Sequence, residues 1–377
     1  MARGVAASGA NLSMMAIGSL ALAGCATARP AFVTPTASDR FFVAGYHPYW
    51  AGDAWTTYRL DAVDEIYFFE IEVAADGAFL DRHGWPTRWR AMIADALGAG
   101  TQITPTVSMH DPVAFEALFQ DRPAVERLVG AIAGLVAETP GLAGIHLDFE
   151  VFQPVDLAAR DGYTAFVAQV RETLRALDPR LSLSVFTLAF DDDDVYNERA
   201  LARIADYLVV QGYDYHSLES PTAGPVAALT GWGRLNWEGV VQRFEDLGVP
   251  RRSIVMTVPL YGYQWPVSAE DPGAPATGPA VAIPLTAPPD VLPELPRAIA
   301  QAEAHGARRD PASGSPYYVF REGAGWQQGW FEDAESLAAK YDFVRRRGLG
   351  GVALFPLAYA DEAAWASLRE AFARPRS

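Results

Sequence analysis

The sequence has little of the chemistry that builds disulfides or metal centres. It contains one cysteine, Cys25, and six histidines among 377 residues. A single cysteine excludes an intramolecular disulfide and any metal site made of cysteines. The histidines show no spacing typical of metal ligands, so we predict neither a metal ion nor another cofactor.

Basic residues are also few, since 30 Lys and Arg stand against 46 Asp and Glu, a formal net charge of -16 at pH 7. Proteins bind nucleic acids through clusters of lysine and arginine, and Arg345-Arg346-Arg347 indicates only the basic end of a helix. We therefore predict that nucleic acid is not a partner. The 10 Trp and 15 Tyr residues can form core or stack on sugar rings, and we expect a monomer with a neutral substrate.

The first residues indicate an export signal. Arg3 precedes a mostly apolar stretch, residues 12–22, which is too short to span a bilayer and is typical of a secretory signal peptide. Leu22-Ala23-Gly24-Cys25 resembles the lipobox of bacterial lipoproteins, in which the signal is cut before a cysteine that is then lipidated. We predict a signal at residues 1–24 and a lipidated, flexible tether at residues 25–40.

The predicted anchor also indicates a location. A lipidated Cys25 would bind the protein to a membrane of the bacterial cell envelope. Ala26 stands where an Asp would favour retention in the inner membrane, so the sequence favours the outer membrane, on its periplasmic or surface side. The alternative is a secreted protein in which Cys25 is incidental.

Eight short β-rich segments alternate with longer amphipathic segments. This alternation is typical of an α/β fold, and eight units of it predict a (β/α)8 (TIM) barrel over residues 41–375. The predicted strands are residues 41–46, 65–73, 102–107, 143–150, 181–188, 207–213, 253–260 and 350–355. The predicted helices are residues 88–97, 113–138, 163–177, 237–247, 337–347 and 362–372.

One segment does not fit this alternation. Residues 266–318 are dense in Pro, Gly and Ala, with one possible helix at about 295–305. A loop of this length without structure of its own is uncommon in a compact domain. We predict a small insertion between the seventh and eighth strands, which forms a wall of the functional site.

The fourth predicted strand carries the most informative pattern, Gly144-Ile145-His146-Leu147-Asp148-Phe149-Glu150. Side chains alternate between the two faces of a strand, so the three polar residues share one face about 6.6 Å apart. Two carboxylates in an apolar strand are costly unless paired or partly protonated, and such acids cluster at functional sites. The alternative is an edge strand with a solvated polar face.

Aromatic and polar residues follow three other predicted strands. The active site of a (β/α)8 barrel lies at the C-terminal ends of its strands, so we predict that these residues surround the two acids. They are Tyr46 on the first strand, Gln211, Tyr213 and Asp214 on the sixth, and Tyr261 and Trp265 after the seventh.

These motifs resemble glycoside hydrolase family 18. The fourth strand resembles the family's DGxDxDxE strand, Gln211-Gly212-Tyr213-Asp214-Tyr215-His216 its MxYDxH-like strand, and Val258-Pro259-Leu260-Tyr261-Gly262 its GxPxYG strand. Tyr261-Gly262-Tyr263-Gln264-Trp265 and Trp330-Phe331-Glu332-Asp333-Ala334 are similar to the branch that contains spore-cortex and peptidoglycan N-acetylglucosaminidases. The resemblance extends over about residues 41–373.

The resemblance implies hydrolysis of β-1,4 bonds beside N-acetylglucosamine, in peptidoglycan or chitin-like glycans, with substrate-assisted retention. It implies that Glu150 is the acid and later the base, that Asp148 holds the acetamido N–H and helps raise the pKa of Glu150, and that Tyr213 binds the acetamido oxygen. The implied substrate-binding residues are Asp214, Tyr46, His146, Gln211, Tyr261, Trp265 and Phe355.

Several positions depart from the family pattern and leave other functions open. Ala143 and His146 stand where the family's DGxDxDxE strand has acidic residues. The third strand ends at His110 instead of in SxGG, Gln211 stands where the family has Met, and Phe355 stands where it has Trp. A catalytically inactive, lectin-like glycan-binding protein is the alternative. A third possibility is a metal-dependent deacetylase, because a strand end of those enzymes is superficially similar to Phe190-Asp191-Asp192-Asp193-Asp194. No HxxxH pair accompanies this run in the sequence, so a solvated loop is favoured.

Overall fold

The computed structural model describes residues 40–191 and 195–372. Cys25, the predicted signal and nearly all of the predicted tether lie outside these residues, so those predictions remain predictions. The described strands are β1 (Phe42–Pro48), β2 (Glu65–Val73), β3 (Phe79–Asp81), β4 (Gln102–Met109), β5 (Gly144–Phe149), β6 (Ser182–Thr187), β7 (Tyr207–Val210), β8 (Ile254–Pro259), β9 (Tyr261–Val267), β10 (Val281–Pro284), β11 (Arg308–Arg309), β12 (Pro316–Glu322), β13 (Gly325–Trp330) and β14 (Gly351–Phe355).

Eight of these strands form a closed parallel barrel. Their order around the barrel is β1, β2, β4, β5, β6, β7, β8 and β14, and β14 pairs with β1 to close it. The predicted (β/α)8 fold is therefore confirmed. Both faces of these strands are covered, which explains why the sequence shows near-continuous apolar runs at them.

Helices surround the barrel and show the expected periodicity. In α4, four fully buried side chains recur every three or four residues, namely Tyr163, Phe166, Val170 and Leu174. The helices are α1 (Arg90–Gly98), α2 (Pro112–Gln120), α3 (Arg122–Glu138), α4 (Leu157–Leu177), α5 (Glu198–Ile204), α6 (Trp237–Asp246), α7 (Ala298–His305), α8 (Ala334–Arg347) and α9 (Glu362–Ala371). In the described part of the chain, none of them is both long and apolar enough to cross a membrane.

The single helix predicted over residues 113–138 is wrong, because the structure has two helices there. Asp121 adopts an extended conformation between α2 and α3. Pro123 lacks an N–H, and its ring would collide with the carbonyl of Phe119 if one helix continued through it. The chain therefore turns at Asp121 and starts α3 with this proline in its first turn.

The segment between β8 and β14 forms a second sheet. Five antiparallel strands follow the order β10, β9, β13, β12 and β11. Along the chain, the sheet begins with β9 at Tyr261 and ends with β13 at Trp330. It therefore extends beyond the predicted 266–318 on both sides. Its core is aromatic, and Trp265 and Trp330 are fully buried within it.

A buried ion pair fastens this second sheet to the barrel's helical layer. Lys340, the only lysine in the sequence, lies on α8 and places its Nζ 2.6 Å from Glu332, just after β13. Both side chains are at most 1% exposed, and Ser315 donates a second hydrogen bond to Glu332 at 3.2 Å. Removal of one partner from such a pair would leave an uncompensated buried charge, so the pair holds the sheet in place.

Candidate active site

Strand β5 brings two carboxyl groups to the C-terminal end of the barrel. Asp148 is 2% exposed, and Glu150, one residue beyond the strand, is half-buried. The Glu150 N–H donates to the Met109 carbonyl at 2.9 Å, which continues the ladder from β4 to β5. Asp148 and Glu150 also share a side-chain hydrogen bond. The side-by-side acids predicted from the sequence are therefore brought together.

The surroundings of these acids favour their protonated forms. Burial raises the pKa of Glu150 to about 7, although the His110 charge and the hydrogen bond with Asp148 act to lower it. Burial and the charges of Glu150 and Glu70 raise the pKa of Asp148 well above its usual range. Burial is thus the main cause of the raised pKa of Glu150, and the contribution expected from Asp148 stays a prediction.

His146 lies beneath the acids, inside the barrel. Its Nε2 is 2.8 Å from the Tyr46 hydroxyl and its Nδ1 is 2.9 Å from the Ser184 hydroxyl. Its ring also stacks on Tyr67 at 4.4 Å, and burial lowers the pKa of His146 to about 3. The structure thus differs from the predicted substrate contact, because this neutral, fully enclosed ring has partners at both nitrogens. Its hydrogen bond also occupies the hydroxyl of the buried Tyr46.

The segment after β7 presents Tyr213 and Asp214. Gly212 is required here, since a Cβ would lie 2.0 Å from the Thr257 carbonyl oxygen of the next strand. Asp214 has a φ of 60°, in the left-handed region that aspartate tolerates better than most residues. Tyr261 and Tyr263 donate hydrogen bonds to its Oδ1 at 2.7 and 2.9 Å. The start of the second sheet therefore fixes this carboxylate.

Phe355 forms an aromatic floor between the two groups of polar residues. Its ring is partly exposed and lies 5.4 Å from Tyr46, 6.0 Å from Tyr213 and 6.3 Å from Tyr261 between ring centroids. Trp265 does not join them, because it is fully enclosed in the core of the second sheet. The structure therefore differs from the predicted contact between Trp265 and substrate.

A cavity of about 530 Å³ opens beside Tyr213 and Asp214. Gln211 lines it, and its Oε1 accepts a hydrogen bond from the Ala189 N–H at 3.3 Å. Two phenylalanines that the sequence did not single out as site residues also line this cavity, Phe152 and Phe190. Phe152 is 62% exposed and lies two residues after Glu150. Its position so close to Glu150 in the sequence could have identified Phe152 as a site residue.

Two charged residues near the acids were missed as site residues. Glu70, near the end of β2, accepts at its Oε2 a hydrogen bond from the His110 Nε2 at 3.1 Å. Glu70 is also one of three groups, with Glu72 and His83, whose possible ligand atoms lie within 4.8 Å of one another. His83 already contacts Glu72 at 2.8 Å. The absence of a metal therefore stays a prediction.

Asp191, the one member of the acidic run within the described residues, has a structural use. Its carboxylate accepts hydrogen bonds from the backbone N–H groups of Val195 and Tyr196 at 2.8 and 2.7 Å. It therefore fixes the backbone of these two residues, just before α5.

The chain is similar in sequence to known proteins. The sequence profile of the glycosyl hydrolases family 18 matches residues 108–360. A Bacillus subtilis (strain 168) protein named as a sporulation-specific glycosylase is 30% identical over 329 residues, covering 85% of this chain and 68% of its own length. The cortical fragment-lytic enzyme of the same strain is 25% identical over 261 residues, covering 68% of this chain and 55% of its own length.

Among solved structures, a family 18 chitinase from Cycas revoluta has a TM-score of 0.75 at 18% identity, covering 88% of this chain and 99% of its own. This likeness shows the fold, and the profile match over more than half of the chain shows the family. This chain spans about half of the cortical fragment-lytic enzyme it matches. The chain belongs to glycosyl hydrolases family 18 and is a glycoside hydrolase.

Proposed function

We propose that this protein hydrolyses β-1,4 linkages of glycans that contain N-acetylglucosamine, by substrate-assisted retaining catalysis. The observation that carries the proposal is the hydrogen-bonded pair of Asp148 and Glu150 at the C-terminal end of the barrel. Enzymes of this family act on N-acetylglucosamine glycans. The similarity to a cortical fragment-lytic enzyme favours peptidoglycan over chitin as the substrate.

Glu150 is the acid in this proposal. A group whose pKa lies near 7 exists in both protonation states at neutral pH, which suits a residue that first donates and then accepts a proton. Glu150 would protonate the leaving oxygen while the substrate's 2-acetamido oxygen attacks the anomeric carbon. Its carboxylate would then remove a proton from the water that opens the cyclic intermediate, which gives net retention.

Asp148 and Tyr213 would hold the acetamido group. Asp148 has one buried carboxyl oxygen, Oδ1, without a hydrogen-bond partner in the described structure, and an acetamido N–H would satisfy it. Burial and the charges of Glu150 and Asp148 raise the pKa of Tyr213 well above its usual range, so its phenol keeps the proton it would donate to the acetamido oxygen. Asp214, fixed by two tyrosines, would bind sugar hydroxyl groups.

Product analysis with a matched pair of variants tests the proposal. The full chain in mild detergent is incubated with N-acetylglucosamine oligomers and with purified peptidoglycan, beside Glu150→Gln and Glu65→Gln. Both substitutions remove a carboxyl group from the barrel, but Glu65 lies at its other end. We expect wild type and Glu65→Gln to release reducing ends, and Glu150→Gln to be slower by roughly 10²–10⁴-fold.

The same experiment decides between catalysis and simple binding. If wild type releases no product yet binds the oligomers, the protein is a lectin-like member of the family and the proposed activity is wrong. If Glu150→Gln keeps wild-type rates, another residue is the acid. Product lengths from the active protein distinguish endo from exo cleavage, and the two substrates distinguish chitin-like glycans from peptidoglycan.

We also propose that the protein is held at the outer membrane through lipid on Cys25. Leu22-Ala23-Gly24-Cys25 supports this proposal, because it resembles the lipobox of bacterial lipoproteins. Cells that express wild type or Cys25→Ser are grown with a labelled fatty acid and fractionated. We expect label and membrane association in the wild type alone, and a labelled Cys25→Ser protein would contradict the proposal.

A further inference from the structure

Three neighbouring strands end in charged residues that lie in a row. Strand β4 pairs with β2 on one side and with β5 on the other. Glu70 lies near the C-terminal end of β2, His110 directly follows β4, and Glu150 directly follows β5. The histidine therefore lies between the two glutamates. The Met109 carbonyl, directly before His110, accepts the Glu150 N–H. The ladder itself therefore fixes the histidine beside the acid.

The histidine is held from one side and open on the other. The His110 Nε2 is 3.1 Å from the Glu70 Oε2, and the Glu70 side chain is only 9% exposed. The His110 side chain is 45% exposed, so it lies at the mouth of the barrel rather than in its core. A buried carboxylate partner favours the charged imidazolium of a histidine.

We propose that His110, held by Glu70, is a positioning residue that keeps a positive charge beside Glu150 and so favours transfer of the Glu150 proton to the leaving group. The inference rests on the proposed function. When Glu150 gives up its proton, a negative charge develops on its carboxylate, and an adjacent imidazolium stabilises that charge. No bond to His110 forms or breaks.

The electrostatics of the surrounding groups agree with this geometry. Burial acts to lower the pKa of His110, but the hydrogen bond with Glu70 and the charges of Glu150, Glu70 and Glu72 outweigh it and raise the pKa. Burial is the largest influence on the pKa of Glu150, and the His110 charge is the second largest. The His110 charge favours the Glu150 carboxylate. Asp148, Asp214 and Glu70 also act on the pKa of Glu150. Three buried phenols interact with Glu150 as well, those of Tyr46, Tyr196 and Tyr213.

Variants at His110 separate its charge from its shape. We expect His110→Gln to move the alkaline limb of the kcat/KM profile to higher pH by about half a unit to one unit, because Glu150 then holds its proton more tightly. We expect kcat to fall several-fold, since a weaker acid donates less readily. His110→Lys restores a positive charge and should return the limb close to its wild-type position.

His83→Gln is the matched control. His83 also pairs with a glutamate of β2, Glu72, but among the described residues it is not one of the main influences on the pKa of Glu150. Its pH profile should equal that of wild type. An unchanged profile in His110→Gln, or an equal displacement in His110→Gln and His110→Lys, would overturn the inference while leaving the proposed function intact.

The inference can also be tested by a measurement that does not require the protein to be active. The titration midpoint of the His110 ring can be followed by NMR, with His110→Gln identifying its signal. Because electrostatic coupling between two sites is reciprocal, both Glu70→Gln and Glu150→Gln should lower this midpoint. If neither variant moves it, His110 is not charge-coupled to the acid and the inference is wrong, whatever the activity.

Discussion

The barrel contains two glutamates with the same altered acidity at opposite ends. Glu65 begins β2, is 4% exposed and accepts a hydrogen bond from the Thr104 hydroxyl. Burial raises its pKa to about 7 despite that hydrogen bond. Burial also raises the pKa of Glu150, beyond the end of β5, to about 7. Only the second of these lies at the end where barrels of this kind perform chemistry.

The difference between them shows that altered acidity alone does not make a catalytic residue. Glu65 is enclosed, and its only side-chain hydrogen-bond partner in the described structure is one hydroxyl group. Glu150 is partly open to solvent and has a second carboxyl group, Asp148, within hydrogen-bonding distance. A functional site combines the altered pKa with access and with a partner that can exchange a proton.

The largest effect should come from removing the partner of Glu150. We expect Asp148→Asn to lower kcat by roughly 10²–10³-fold, because an amide cannot share a proton with Glu150. Steady-state kinetics on N-acetylglucosamine oligomers measures this loss. Thr104→Val, which removes the partner of Glu65 instead, is the control and should retain wild-type kcat.

A retained rate in Asp148→Asn would break the comparison. Glu150 would then act without a proton-sharing partner, and its difference from Glu65 would be access alone. A loss of similar size in Thr104→Val would instead indicate that damage anywhere in the barrel interior stops catalysis.

The second prediction concerns stability and Glu65. The folded protein holds the Glu65 proton up to about pH 7, whereas the unfolded chain releases it near the usual pKa of about 4.3. The folded state therefore binds more protons between these values, and the stability that depends on them is lost as pH rises from about 4.5 to 7. Over that interval the wild type should lose roughly 3 kcal/mol more than Glu65→Gln, because each pKa unit is worth about 1.4 kcal/mol.

Urea denaturation at several pH values measures this difference. Parallel loss of stability in the two proteins would show that Glu65 is ionised in the folded barrel, and the two glutamates would then not be alike. Activity should not separate Glu65→Gln from wild type at any pH at which both are folded.

Much of this architecture was predictable because it depends on local pattern. The barrel strands are apolar runs of regular spacing, and the alternation of side chains in β5 predicts that Asp148 and Glu150 share one face. The order of Tyr213 and Asp214 along the chain located a second strand end. These features depend on neighbours in sequence, which a pattern records.

What could not be predicted depends on contacts between distant segments. Trp265 follows a strand end like the others, but the antiparallel strands around it enclose its ring. His146 has the right position for a site residue, yet Tyr46 and Ser184 from other strands take both its nitrogens. The contact between Glu70 and His110 joins residues 40 apart in the sequence, and no local periodicity indicates it.

The smallest predicted effect concerns access, the remaining difference between the two glutamates. Phe152 exposes 62% of its surface on the wall of the cavity beside Tyr213, where a sugar ring could stack on it. We expect Phe152→Ala to raise KM for oligomers by about two- to tenfold with kcat nearly unchanged, since an aromatic contact is worth about 0.5–1.5 kcal/mol. Leu177→Ala, an exposed apolar position at the end of α4, should leave both constants unchanged. If kcat falls in Phe152→Ala while KM stays unchanged, the ring positions Glu150 instead of binding glycan. Glu150 and Glu65 would then differ in how their side chains are positioned rather than in access.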